Sequence, residues 1–131
     1  MGGRDDELIA RVHRAFEAFN RRDYDAAMAL VHPDIVFVRQ GAQSTITGAD
    51  GIRSWMEPDA FESQVIEPCE LEVAGNKVFI RSHSKNKGAG SGIEMELDAL
   101  SVWTFDQDGR VIKIEAFLAH EEAEARSALQ N

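Results

Sequence analysis

The stretch Ile93–Leu118 reads I-E-M-E-L-D-A-L-S-V-W-T-F-D-Q-D-G-R-V-I-K-I-E-A-F-L and decides the fold. Its Asp-Gly pair lies between two runs in which apolar and polar residues alternate, which is a strong signal for a β-hairpin. We expect a four-residue loop over 106–109 between two long strands. The predicted cross-strand pairs are Phe105 with Arg110, Trp103 with Ile112, and Ser101 with Ile114.

The alternation gives this predicted hairpin two different faces, because successive side chains of a strand point to opposite sides. The first face is apolar apart from one hydroxyl and carries Leu97, Ala99, Ser101, Trp103, Ile112, Ile114, Ala116 and Leu118. The second face is charged at one end and carries Glu94, Glu96, Asp98, Leu100, Val102, Lys113, Glu115 and Phe117. An apolar sheet face has to be covered, so we expect the rest of the chain to supply the cover.

The residues before the hairpin predict the covering helices. Apolar residues at helical spacing predict one helix from Asp5 to about Asn20, and a second, shorter one that Asp23 caps. A third helix is predicted over Ala49–Met56, and a terminal helix over 120–129.

One short strand is predicted before the third helix, and further strands are predicted from Glu62 onward, where the apolar period changes to two. These strands are 34–39, 65–73 and 78–85, with Pro68 favouring a sheet edge or a bulge. The string G-A-Q-S-T-I-T-G after the first of them predicts a loop or a hairpin-like excursion. Helices and strands in this order predict the α+β class, with a curved, mixed but mostly antiparallel sheet closed by three helices of the N-terminal half and a short C-terminal helix. We expect a single domain over residues 1–131, with residues 1–5 disordered or tag-like.

Composition excludes several classes of partner. The formal net charge of −9 argues against electrostatic capture of nucleic acid or of an anionic membrane. Cys69 is the only cysteine, so no intrachain disulfide is expected. The N-terminal residues lack the apolar region of a signal peptide, and no apolar run reaches membrane-spanning length. We therefore expect a cytoplasmic protein with neither nucleic acid nor membrane as its partner.

Three strings carry a resemblance to a known family. They are A-F-N-R-R-D-Y-D-A-A-M-A-L-V-H-P-D-I-V-F, G-A-D-G-I-R-S-W and W-T-F-D-Q-D-G-R-V-I-K-I-E-A-F. With the order of elements, they resemble the SnoaL-like branch of the nuclear transport factor 2-like superfamily, which includes ketosteroid isomerases, polyketide cyclases and limonene epoxide hydrolases. The resemblance implies a cone-shaped, cystatin-type α+β barrel, a pocket between sheet and helices, and a homodimer.

The catalytic positions of these relatives do not carry over unchanged. Ketosteroid isomerases carry aspartates at the positions of Arg39 and Ser101, so their paired-acid chemistry is absent here. Limonene-epoxide-hydrolase-like members use an Arg-x-Asp pair where this chain has Arg81-Ser82-His83. Cyclase members use a strand aspartate or a histidine-assisted base, for which Asp98 and His83 are the nearest candidates. The resemblance therefore implies a fold and leaves open whether the protein is an enzyme.

The predicted site is a mostly apolar pocket with a few polar points. Its ligand-binding wall is predicted to include Phe16, Phe37, Trp55, Trp103 and Ile114. Arg39 shares a strand face with Phe37, and a buried arginine needs an acid or an anionic ligand such as a carboxylate or an enolate oxygen. If the protein is catalytic, we expect proton transfer, isomerisation or cyclisation next to a carbonyl. His83 would then be the base, and Arg39 with Ser101 would stabilise the developing oxyanion.

The alternative class is a non-catalytic ligand-binding or dimeric interaction module. Leu100, Val102 and Phe117 lie on the charged face of the hairpin, and an apolar centre with charged rims is typical of an isologous dimer. We therefore predict a homodimer through this outer sheet face. No two histidines have the spacing of metal ligands, so neither a metal nor another cofactor is expected.

Overall fold

The computed structural model describes residues 3–39, 44–56, 61–88 and 90–130, without the side chains of residues 55, 56 and 61–63. The helices are α1 (Gly3–Asn20), α2 (Tyr24–Met28), α3 (Ala49–Met56) and α4 (Glu122–Gln130). The strands are β1 (Val31–Arg39), β2 (Ser44–Thr47), β3 (Phe61–Ala74), β4 (Lys77–Gly88), β5 (Glu94–Phe105) and β6 (Val111–Leu118). The α+β class and the order of elements confirm the prediction.

The start of α2 follows the predicted capping signal, whereas the start of α1 does not. The Asp23 side chain accepts the backbone N–H of Ala26, which caps α2 as expected. Helix α1 already begins at Gly3, so residues 3–5, which we expected to be disordered or tag-like, lie in its first turn. Among the described residues, no helix combines the length and the apolar character that a membrane crossing requires.

The six strands form one curved, open sheet in the order β2-β1-β6-β5-β4-β3. All neighbours are antiparallel except β1 and β6, which run parallel, so the sheet is mixed and mostly antiparallel as predicted. Strand β2 is the predicted hairpin-like excursion. Pro68 lies in the edge strand β3 and beside a register shift between Pro68 and Glu70, where a missing N–H is tolerated.

The central hairpin pairs in a different register from the predicted one. Trp103 lies opposite Ile114, two residues further along β6 than the predicted partner Ile112. An irregularity near the turn then sets Phe105 opposite Val111. This places Val111 in the core and leaves Ile112 36% exposed, which contradicts its predicted position on the apolar face. From Ile114 onward the predicted faces hold, because a shift of two residues preserves them.

The turn itself explains this shift. The Asp106 carboxylate accepts the backbone N–H groups of Asp108 and Arg110 at 2.9 Å each, and the backbone N–H of Asp106 donates to the carbonyl of Arg110. Arg110 thus belongs to the loop, which is longer than the predicted one. The hydrogen bonds that the Asp106 carboxylate accepts lower its pKa, and the bond from the Arg110 N–H has the larger effect.

The concave face of the sheet is covered by α1, α2 and α3, as predicted. The core under these helices contains Leu8, Val12, Ile35, Phe37, Ile52, Val78, Ile80, Trp103, Phe105 and Val111. The core residues on β4 and β5 alternate along each strand, so the residues between them face the outer side of the sheet.

The outer face of the sheet is covered within the same chain by α4. Ala125 and Leu129 of this helix pack on a second core of Phe79, Leu100, Val102 and Phe117. The three residues that we predicted at a dimer interface are only 1% (Leu100), 0% (Val102) and 7% (Phe117) exposed. The homodimer stays a prediction, but the exposure of these side chains no longer argues for it.

A network of ion pairs fastens α4 to the sheet. Arg81 of β4 binds Glu122 of α4 at 2.6 Å and Glu70 of β3 at 3.0 Å. Arg126 binds the same two carboxylates at 2.8 and 3.1 Å, and its guanidinium lies 4.5 Å from the ring centre of Phe79. The guanidinium groups of Arg126 and Arg81 lower the pKa of the Glu122 carboxyl. The network joins three elements, so it sets where on the outer face the helix lies.

The docking of α4 predicts a clear difference between two leucines. Leu129 is 3% exposed beneath α4, whereas Leu118 is 50% exposed. Leu129→Ala is expected to lower the free energy of unfolding by about 2–4 kcal/mol, because it removes buried methyl groups and leaves a cavity. Leu118→Ala, the matched control, is expected to change it by no more than about 0.5 kcal/mol. Urea denaturation measures both, and equal effects would contradict the placement of α4.

Candidate functional site

A cavity of about 350 Å³ lies between the concave face of the sheet and the three covering helices. Its lining is mostly apolar, as is typical of a small-molecule site. The helices contribute Ala15, Phe16, Phe19, Ala27, Met28 and Ile52. The strands contribute Val31, Phe37, Gln64, Ile66, Ser82, Ser101, Trp103, Ile114 and Ala116.

Aromatic side chains form the inner end of the cavity. Phe37, Ile114 and Trp103 lie side by side on neighbouring strands, since Ile114 pairs with both of the others. Phe16 of α1 meets Trp103 edge to face, with ring centres 5.5 Å apart. Beyond them lies the closed core around Phe105, which is 1% exposed. This end offers flat apolar surfaces to a ring-containing ligand.

The other end of the cavity is open. Ser101 pairs with Ala116, and both line the cavity. The next pair along the same face is Ala99 with Leu118, which is 50% exposed. Leu97, two residues before Ala99, is 52% exposed. The apolar concave face therefore continues from the cavity to the surface at this end.

Three uncharged polar side chains, Gln64, Ser82 and Ser101, interrupt the apolar lining. The Ser82 hydroxyl donates a long hydrogen bond of 3.4 Å to the carbonyl of Ala99. None of the described lining side chains is an acid, a base or a cysteine. The cavity can therefore orient a ligand by hydrogen bonds, and its described lining supplies no group for proton transfer.

The predicted wall residues Phe16, Phe37, Trp103 and Ile114 lie at this cavity, and so does Ser101, the predicted oxyanion-stabilising residue. The side chain of the predicted wall residue Trp55 lies outside the described part of the structure.

The structure contradicts the predicted place of His83 in the pocket. Ser82 lines the cavity, so the next residue of β4 faces the outer side of the sheet. There the two ring nitrogens of His83 lie 2.7 Å from a carboxylate oxygen of Asp98 and 2.8 Å from one of Glu96. Asp98 and then Glu96 raise the pKa of His83, because they favour the imidazolium. A histidine held in this way, behind the sheet, is no base for a molecule in the cavity.

Arg39 lies beside the cavity without lining it. It shares the concave face of β1 with Phe37, and it pairs with Ala116 of β6. Since Ala116 also pairs with Ser101, one strand separates Arg39 from Ser101 in a row across the sheet. Of the three residues predicted to act together, only Arg39 and Ser101 therefore lie near each other, and His83 lies on the other face of the sheet.

The predicted site also missed several residues of the lining, among them Phe19, Met28, Ile52, Gln64 and Ser82. Ser82 could have been predicted from the sequence, because it lies on the same face of β4 as Val78 and Ile80, which are buried in the core under the helices. Gln64 lies on β3 beyond the register shift between Pro68 and Glu70, so the turn that joins β3 to β4 does not predict which face of the sheet it occupies. In the described parts of the chain, no three His, Cys, Asp or Glu side chains are grouped to hold a metal ion.

Comparison with protein families gives one match, to the SnoaL-like domain family over residues 12–114. This confirms the resemblance seen in the sequence. A comparison with curated proteins found no significant match.

Many solved structures share the fold. An NTF2-like protein of unknown function from Burkholderia pseudomallei is 22% identical, with 89% of this chain and 94% of that chain covered and a TM-score of 0.74. TerC, co-crystallised with polyporic acid, is 21% identical, with 94% and 97% covered and a TM-score of 0.73. A putative SnoaL-like polyketide cyclase from Shewanella denitrificans is 14% identical, with 94% and 96% covered and a TM-score of 0.76. At these identities the likeness shows the fold alone.

The position of His83 predicts how its pKa depends on Asp98. Asp98→Asn is expected to lower the pKa of His83, because it removes the carboxylate that raises this pKa most. The raised pKa also means that the pairing stabilises the fold fully below the ordinary value of 6.5, and that this contribution is lost as the pH rises through the folded-state pKa. An NMR titration of the His83 ring measures the change. Glu94→Gln, on the same face of β5, is the control, and an equal shift in both variants would contradict the assignment.

Proposed function

The chain belongs to the SnoaL-like domain family, and we propose that it binds a small, mostly hydrophobic molecule in the cavity under α1, α2 and α3. The observation that carries this proposal is the described lining, which combines aromatic and aliphatic side chains with three uncharged polar ones. A volume of about 350 Å³ accommodates a ligand of one or two rings.

The polar side chains would orient such a ligand without reacting with it. In the part of the chain that the structure describes, Ser101 and Gln64 form no hydrogen bond through their side chains. A hydroxyl and an amide provide donors as well as acceptors, so they suit a carbonyl or a hydroxyl group on a ring. Each such bond would add modestly to the affinity and would mainly fix the orientation of the ligand.

Binding is better supported than catalysis. The proton transfer next to a carbonyl that we predicted needs a base at the ligand, and His83 lies on the opposite face of the sheet. Ser101 has no histidine or acid among the described lining residues that would activate it. TerC, which shares the fold, was co-crystallised with polyporic acid. We therefore favour a ligand-binding protein over an isomerase or a cyclase.

Thermal unfolding with and without a panel of uncharged aromatic compounds, such as indole, naphthalene and 2-naphthol, tests the proposal. A ligand at about one hundred times its dissociation constant stabilises the folded state by about 2.7 kcal/mol, which raises the melting temperature measurably. Ala15→Phe places a ring in the cavity and is expected to abolish this shift.

Ala123→Phe is the matched control, because Ala123 is exposed on α4, behind the sheet. This variant should keep the shift seen with the unchanged protein. The proposal fails if no compound of the panel raises the melting temperature, or if Ala15→Phe binds as the unchanged protein does while its circular dichroism shows the native fold.

A further inference from the structure

Arg39 differs from the other half-buried arginines of the described chain. It is half-buried, and among the described residues its guanidinium forms no ion pair. Every other half-buried arginine of the described chain has a carboxylate oxygen within 3.8 Å of its guanidinium; these are Arg11, Arg53, Arg81, Arg110 and Arg126. In a chain with a net charge of −9, acids are abundant, so an unpaired and partly desolvated guanidinium is unexpected.

A second unused donor lies directly opposite Arg39. Ser44 of β2 pairs with Arg39 in antiparallel register, so the two side chains share the concave face. The Ser44 hydroxyl is buried, and no described residue forms a hydrogen bond with it. A buried hydroxyl without a partner costs free energy, which a ligand that accepts its hydrogen would offset. Two side chains that donate hydrogen bonds, one of them charged, thus lie next to each other.

These donors lie at the side of the cavity rather than at a distance from it. The row across the concave face runs Ser44, Arg39, Ala116 and Ser101, each paired with the next. Ala116 and Ser101 line the cavity, and neighbouring strands are about 4.8 Å apart, which is within the reach of an arginine side chain. The same row borders the open end, where Leu118 is 50% exposed.

We infer that Arg39 and Ser44 bind the carboxylate of an amphipathic organic acid whose apolar part occupies the cavity. This inference rests on the proposed function, and it names the chemical class of the ligand. The guanidinium donates two parallel N–H groups, which match the two oxygens of a carboxylate, and the Ser44 hydroxyl donates a third hydrogen bond. The aromatic inner end accepts the apolar part, while the anion remains at the open end near solvent. An uncharged ligand would leave both donors unused.

The test uses two compounds of nearly the same shape, 2-naphthoate and the uncharged 2-naphthamide, with affinities measured by titration calorimetry at pH 7.5. The unchanged protein is expected to bind 2-naphthoate more tightly than the amide. Arg39→Met is expected to weaken the binding of 2-naphthoate roughly tenfold, because a charge-assisted pair is lost, and to leave that of the amide unchanged. Ser44→Ala removes one neutral donor and should weaken the binding of 2-naphthoate roughly threefold.

Two further variants control for charge and folding. Arg14→Met removes the same charge from an exposed site on α1 and should leave both affinities unchanged. Arg39→Lys keeps the charge without the two parallel N–H groups, so it should restore part of the affinity. Circular dichroism verifies that each variant is folded.

The outcomes separate this inference from the proposed function. If the amide binds at least as tightly as 2-naphthoate, or if Arg39→Met weakens both equally, the carboxylate site is refuted and the cavity remains a binding site. If neither compound binds the unchanged protein, the proposed function fails and the carboxylate site fails with it.

Discussion

The burial of β4 and β5 on both faces is the constraint on which the rest of the structure depends. On the concave side, Val78, Ile80 and Trp103 pack under α1, α2 and α3. On the outer side, Phe79 and Val102 pack under α4, and both are 0% exposed. A shift of either strand by one residue would exchange these two sets, so both covers together fix the register. Apolar burial provides most of the stability, since partly exposed ion pairs such as those of Arg126 contribute little each.

The same constraint separates charge from the cavity. Since residues of β4 alternate, Ser82 faces the cavity while Arg81 and His83 face outward. The outward groups are held by carboxylates of β3, β5 and α4, which favour their charged forms. The charged side chains on the outer face therefore hold α4 against the sheet and link neighbouring strands. The cavity behind it keeps an uncharged lining in the described part of the chain.

The sequence predicted β5 well and β4 only in part, for a physical reason. On β5, Ser101 and Trp103 were assigned to one face and Leu100 and Val102 to the other, and the structure has them so. The run V-F-I of β4 is apolar on both faces, as expected for a strand buried on both sides, so its period does not reveal which face meets the helices. His83 lies on the same face of β4 as Phe79, and in the structure this is the outer face.

The sequence also did not predict which surface α4 covers. Only Ala125 and Leu129 of this helix are buried, and so small an apolar stripe does not indicate which surface it covers. Without α4, the apolar residues of the outer face read as a surface between subunits. The two-residue shift in the hairpin came from Asp106, whose side chain draws Arg110 into the turn. Such side chain to backbone bonds compete with strand pairing, and a count of loop residues does not include them.

Arg39 shows what the separation of charge and cavity implies for recognition. A guanidinium at the centre of the aromatic lining would require an acid there, and burying such a pair costs more desolvation than it returns unless every hydrogen bond is made. At the row of Ala116, next to the exposed Leu118, the same group keeps part of its hydration and still lies beside the cavity. A molecule bound there can bury its apolar part before its anion leaves water completely. For a ligand of the proposed kind, the open end of the sheet would accept the polar group, and the aromatic end would limit the shape of the apolar part.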